Sequence, residues 1–149
     1  MNYPLAKMSC GACSPLLLEI PDAPKEVYVR GNLPPYGNMC LAVVGSRNYS
    51  NYGKQVVDYL ISGLRSYPIS IISGLALGID ALAHEAALHA GLHTLAVPGS
   101  GLDDSVIYPR KNFGLAQKIL ENGGGLLSEF EPDFRATQWS FPKRNRIMS

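Results

Sequence analysis

Four short apolar runs, each ending in glycine, serine or proline chemistry, constrain this chain more than any other feature. They are Cys40–Ser46, Ile69–Ser73, His93–Pro98 and Gly125–Glu129. Between them lie stretches with helical periodicity. Tyr52–Ser66 carries Val56, Val57, Leu60, Ile61 and Leu64 on one stripe, and Gly78–Ala90 and Asn112–Asn122 follow the same logic. Continuous apolar runs are what strands buried on both faces look like. The spacing therefore predicts β-α-β-α-β-α-β: a doubly wound, Rossmann-like α/β fold with a mostly parallel sheet and helices on both faces. This unit spans 39–149. Residues 1–38 are different in texture, with Pro4, Pro15, Pro21, Pro24, Pro34 and Pro35 around short apolar pieces such as Leu16–Ile20 and Val27–Val29. They read as a leader that packs on the core.

Ligand sites in such folds lie beyond the carboxyl ends of the strands. The segment Ile72–Gly91 is the sharpest instance. A strand stops at Ser73-Gly74, and a helix opens with Gly78 and Asp80 at its head. Free backbone N–H groups and the positive end of the helix dipole make such a turn an anion site. Tight strand-to-helix packing would demand the same two glycines, and spacing alone leaves both readings open. Asp80 and His84 stand four apart and can pair across one helical turn. His89 is five further on and off that face, so a structural His84 is favoured over a ligating one. Arg47 follows the first strand directly and would project into the crevice, where a guanidinium can grip a phosphate. The dinucleotide fingerprint is absent, because Arg47 and Tyr49 stand where glycines would be needed. In the third loop, Asp103, Asp104, Tyr108 and Pro109 offer two carboxylates, which in loops more often hold turns than catalyse.

The last stretch, Trp139–Arg146 (WSFPKRNR), interleaves two aromatics with three cations. Rings that stack bases beside cations that hold the backbone are what a single-strand platform needs. From Arg135 onward there is no acidic residue, and a helix starts near the end. Overall charge does not supply the attraction: the 149 residues carry a net charge of +1, so any nucleic-acid site must be a local patch. No apolar run is long enough to span a bilayer, and the amino terminus lacks a signal-peptide layout, so the cytoplasm is the default compartment. Cys10, Cys13 and Cys40 make an odd set, and Cys10-Gly-Ala-Cys13 has no second half with which to build a zinc site. Reduced thiols are expected, with no metal.

Taken in order, these pieces resemble the DNA-processing protein A family (DprA, also called Smf). The matching residues are VGSR at Val44–Arg47, SGLALGIDALAH at Ser73–His84 and GSGLDDSVIYPRKN at Gly99–Asn112. SEF at Ser128–Phe130 and FPKRNRI at Phe141–Ile147 complete the series. In the leader, Tyr3-Pro4, Ile20–Pro24 and Val29–Gly31 also match. The resemblance covers nearly the whole chain. It implies an extended Rossmann-like fold without catalysis or cofactor, which binds single-stranded DNA in a basic pocket during natural transformation and loads the RecA recombinase. Carried over by position, Arg47 is the main phosphate ligand. Ser46, Gly74 and Leu75 supply backbone contacts, and Phe141 lies near a base with Lys143, Arg144 and Arg146 around it. Some members carry a lysine where Gln138 stands. Members also continue past this chain's last residues, through elements that complete the sheet and form a homodimer surface. The expectation is thus a partial domain with an open sheet edge.

A different class deserves comparison. Phosphoribohydrolases of the lysine-decarboxylase-like group share the glycine-rich turns but carry a PGG-x-GT-x-x-E motif. The corresponding stretch here is Pro98-Gly99-Ser100-Gly101-Leu102-Asp103, without the threonine or the catalytic glutamate. The DNA-binding reading is therefore preferred.

Overall fold

A computed structural model describes residues 2–149. The four expected strands and three expected helices form: β3 (Met39–Ala42), α2 (Asn51–Ser62), β4 (Ile69–Ser73), α3 (Ile79–His89), β5 (His93–Ala96), α4 (Phe113–Glu121) and β6 (Gly125–Ser128). β3, β4, β5 and β6 run parallel in that spatial order. The leader supplies more strands. After β1 (Ala6–Ser9) and a short helix α1 (Cys10–Cys13) comes β2 (Glu26–Gly31), which inserts antiparallel against β6 and carries β1 on its outer edge. The result is a six-stranded mixed sheet. A final helix, α5 (Ser140–Met148), closes the chain.

Local chemistry accounts for the boundaries. Ser50 caps α2 by accepting from the Gly53 amide at 3.0 Å, and Ser9 caps α1 by accepting from the Ala12 amide. β3 is shorter than its apolar run, yet pairing continues one residue beyond it. The Val43 amide donates to the Ile72 carbonyl at 3.0 Å, and the Ser73 hydroxyl donates to the Val43 carbonyl at 2.6 Å.

Helices lie on both faces, but unevenly. Each crossover from β3 to β6 steps the same way across the sheet, and right-handed crossovers then place α2, α3 and α4 together. Ile71, Ala96, Leu126 and Tyr28 point to that face and pack under them. Alternation sends Ile72, Leu95, Leu127, Val27 and Val29 to the other face. There they meet Leu17 and Ile20 of the leader and Ile147 of α5. At the far edge β3 has no strand on its outer side among the described residues, and Met39 and Leu41 are exposed there.

His84 shows how the layers are tied. It is wholly buried on α3, and its Nδ1 lies 2.7 Å from the Thr94 hydroxyl of β5. Thr94 commits its one hydroxyl proton to the Ile71 carbonyl of β4, so Nδ1 carries the ring hydrogen and donates to the threonine. The expected Asp80–His84 pair does not form: His84 faces the sheet, and Asp80 bonds the Gly74 amide instead. Burial takes the imidazole from its ordinary value near 6.5 down to about 3. The ring is neutral and structural.

Cys10 is buried and Cys13 half-buried, burial pushes both thiols up (Cys13 to about 11), and no metal-ligand cluster occurs among the described residues.

His84 generates a pH prediction. The unfolded chain takes up a proton below about pH 6.5 that the folded ring refuses until about pH 3. Stability present above pH 6.5 is therefore lost as pH falls, at up to ~1.4 kcal/mol per pH unit. His93, also lowered by burial, adds in the same direction. Urea melts between about pH 6.5 and 5, above the carboxylate range, should show a flatter slope for His84→Gln than for the parent chain. An equal slope refutes the assignment.

Candidate nucleic-acid interface

The carboxyl ends of β3, β4 and β5 surround a crevice, and two glycines set its walls. Gly78 has φ of +88°, and a Cβ there would stand 2.3 Å from the Ser46 carbonyl oxygen. A Cβ on Gly45 would lie 2.8 Å from the Ile79 side chain. The loop carrying Ser46 and Arg47 is thus pressed directly onto the start of α3, where the Ile79 amide donates to the Ser46 carbonyl at 3.1 Å. This answers the question that spacing left open at Gly78: its role is close packing.

The start of α3 is also already occupied by an anion of the chain itself. Asp80, 4% exposed, accepts from the Gly74 amide at 3.1 Å. Burial raises its carboxyl above the ordinary range, and backbone amides of Gly74, Gly45 and Ala76 with the nearby Arg144 oppose that rise. An external phosphate would have to displace this carboxylate, so the turn at Ile72–Gly91 serves as a wall of the crevice. Gly74 and Leu75 take the same place. The Gly74 amide is spent on Asp80 and its carbonyl on Arg144, while Leu75 is fully buried and its carbonyl accepts from Asn112.

The basic run divides on α5. Arg144 turns inward, 6% exposed, and its Nη1 donates to the Gly74 carbonyl at 2.9 Å and the Val97 carbonyl at 2.6 Å. Burial lowers its pKa, Asp80 opposes this, and Arg47 adds like-charge repulsion. Arg146 grips Glu129 with two parallel bonds, Nη1 to Oε1 at 2.6 Å and Nη2 to Oε2 at 2.7 Å, and its Nε donates to the Asp22 carbonyl. Both guanidiniums bind protein. Lys143 remains exposed, its Nζ 5.7 Å from the Trp139 ring centre. The aromatics divide as well. Trp139 meets Phe130 and Phe134 edge-on, and Phe141 turns to the crevice.

Arg47 stands at the mouth, exposed, with no carboxylate partner among the described residues. Its guanidinium carbon lies 5.8 Å from the Phe141 ring centre, as does that of Arg144. Arg47, Gly74, Ala76, Leu77, Tyr108, Pro109 and Phe141 enclose one shallow depression. A broader cavity of about 540 Å³ adjoins it, with Val44, Asp80, Arg144 and Asn145 in its lining. Ser46 is exposed beside Arg47, its hydroxyl accepting from the Asn48 amide, and Gln138 is exposed one residue before Trp139.

The loop aspartates are braces. Asp104 accepts from Arg30 at 2.7 Å, a side chain 9% exposed that crosses from β2 and also donates to the Leu102 carbonyl. Asp103 closes the turn, its carbonyl accepting from Val106 and Ile107. Sequence reasoning gave Arg30 no role of its own, although it stands in the Val29–Gly31 stretch of the leader. It also gave Tyr108 no role in binding.

Comparison with known proteins fits this geometry. The sequence model of the family described as DNA recombination-mediator protein A matches residues 6–149. Protein Smf of Escherichia coli is 43% identical over 135 residues, covering 91% of this chain and 36% of that protein. DNA processing protein DprA of Streptococcus pneumoniae is 44% identical over 133 residues, covering 89% of this chain and 46% of that one. This chain therefore spans less than half the length of these two relatives. The solved structure of the S. pneumoniae protein superposes with a TM-score of 0.84 at 40% identity, over 99% of this chain and 51% of that one. A Helicobacter pylori DNA processing protein A, whose structure concerns its single-stranded DNA binding mode, superposes at 0.80 and 31% identity, over 99% and 65%. The chain belongs to the DNA recombination-mediator protein A family.

Proposed function

We propose that this chain binds single-stranded DNA across the crevice, as the DNA-binding part of a recombination mediator of the DNA-processing type. The observation that carries the reading is Arg47: an exposed guanidinium without an acidic partner, beside the ring of Phe141. A cation for the phosphate next to a ring for the base is the minimal single-strand site. Arg47 takes the phosphate, Ser46 and Lys143 support it, and Phe141 contacts a base. Arg144 and Arg146 hold α5 in place, and the Gly74-Leu75 turn shapes the wall. The chain acts as a binder, without a catalytic residue or cofactor of its own. Delivery of the strand to RecA, homodimerisation, a cytoplasmic location and a part in natural transformation are further elements of the proposal. These rest on family membership rather than on the crevice. Among the described residues no helix is long and apolar enough to cross a membrane.

Three measurements test this. Titration of labelled oligo-dT over a salt series should give binding that weakens steeply with salt. Arg47→Ala should lower affinity about tenfold or more and shallow the log–log salt slope by about 0.7. Binding indifferent to both changes overturns the proposal.

Arg144→Ala should behave differently. It leaves the buried Gly74 and Val97 carbonyls without their donor, at a cost of about 3 kcal/mol in urea melts, whereas Arg47→Ala should leave the melt within about 0.5 kcal/mol of the parent chain. Equal destabilisation by the two would contradict the division of roles. Finally, incubation with AMP should release no adenine, and release would restore the phosphoribohydrolase reading.

A further inference from the structure

The site as proposed leaves one exposed ring unexplained. Tyr108 sits in the loop after β5, 43% exposed, between a buried Ile107 and a buried Pro109. Its backbone is fixed from several sides. The Tyr108 amide donates to the Ser100 hydroxyl at 3.2 Å, and Ile107 is packed in the core. The Asp103 turn and the Arg30 bridge to Asp104 hold the loop before it. Its own hydroxyl makes no hydrogen bond to protein among the described residues. The fold thus anchors the main chain and leaves the ring partly exposed.

That ring borders the depression containing Arg47 and Phe141. The Tyr108 and Phe141 centroids are 5.4 Å apart with planes inclined by 50°. This lies within the ~4.5–7 Å of aromatic pairs in direct contact, so a base has no room between them. Within the pair Tyr108 stays exposed, whereas Phe141 is half-buried. Phe141, with two guanidiniums 5.8 Å from its centre, is the more encumbered ring. Directly after Pro109, Arg110 and Lys111 are exposed, and the Arg110 guanidinium lies over the Phe113 ring and donates to the Asp104 carbonyl. A strand with a phosphate on Arg47 would meet the Tyr108 ring across the same depression.

We propose that Tyr108 is a base-stacking residue of the crevice: one nucleobase lies on its outer face, supported edgewise by Phe141, while the adjoining phosphate rests on Arg47. The inference rests on the single-stranded DNA reading and deepens it. It assigns the principal stacking surface to the loop after β5, a different element from α5. The recognition is of a π-face rather than of a base's hydrogen-bonding edge, so it is tolerant of sequence.

The test separates base contact from backbone contact. The 149-residue chain and its Tyr108→Phe, Tyr108→Leu and Tyr108→Ala variants are titrated with oligo-dT and with an abasic oligonucleotide of equal length, with urea melts to verify folding. The parent chain should prefer dT over the abasic strand. Tyr108→Ala and Tyr108→Leu should bind dT about 5- to 150-fold more weakly. Both should bind the abasic strand as before and retain the parent's salt slope, while Tyr108→Phe should match the parent. Variants that bind dT as tightly as the parent overturn the inference while leaving the DNA-binding proposal intact. Equal losses on dT and abasic strands also overturn it, by making Tyr108 a structural residue. A parent chain that binds neither oligonucleotide overturns the DNA-binding proposal and this inference with it.

Discussion

The Arg144 guanidinium is the interaction on which the geometry of the crevice depends. Carbonyls at the carboxyl ends of neighbouring parallel strands lose their ladder partners as the strands diverge, and buried carbonyls left unpaired are costly. Arg144 satisfies two of them at once, Gly74 after β4 and Val97 after β5. Its charge is offset by Asp80, whose carboxylate also accepts from the Gly74 amide and sits at the start of α3. The cluster leaves no space for a side chain at Gly74, where a Cβ would stand 2.7 Å from both the guanidinium and the carboxylate. This one buried cluster therefore fixes the relation of β4, β5, α3 and α5. Phe141 lies one turn before Arg144 on α5, so the anchor also aims the ring at the crevice.

Much of this was legible in the chain and some could not be. The alternation of apolar runs and helical stripes was sufficient for the parallel half of the sheet, because each strand there is buried on both faces and each helix has one apolar side. β1 and β2 were harder. Val27-Tyr28-Val29 is short, and the prolines around it read as a packing leader; its strand character comes from its antiparallel partners in β1 and β6, which are distant in sequence. The cations of FPKRNR posed a different problem. As a string they are equivalent. On a helix they point in different directions, and the surface beneath α5 decides that Arg144 meets carbonyls, Arg146 meets Glu129 and Lys143 meets water. The same holds for Asp80 and His84, whose spacing permits a pair. The sheet beneath α3 offered Thr94 to one and the Gly74 amide to the other.

A nearly neutral chain can present a cationic crevice because its acids are consumed elsewhere. Asp80 faces Arg144, Glu129 accepts both arms of Arg146, Asp104 takes Arg30, and Glu131 accepts from the Tyr28 hydroxyl. Each pairing spends a carboxylate on holding the scaffold. What is left uncompensated near the crevice is Arg47 with Lys143. The field of that residual charge reaches only about a Debye length, ~10 Å at 0.1 M salt, so the overall charge of the molecule matters little to a strand already at the surface. The same pairings hold the loops rigid before any ligand arrives. A site whose donors and rings are already in place spends less of its binding free energy on ordering itself. The buried guanidinium that ties the sheet's carboxyl end together and the exposed cation that would meet a phosphate are therefore two parts of one arrangement: the first holds α5, and with it the Phe141 ring, beside the second.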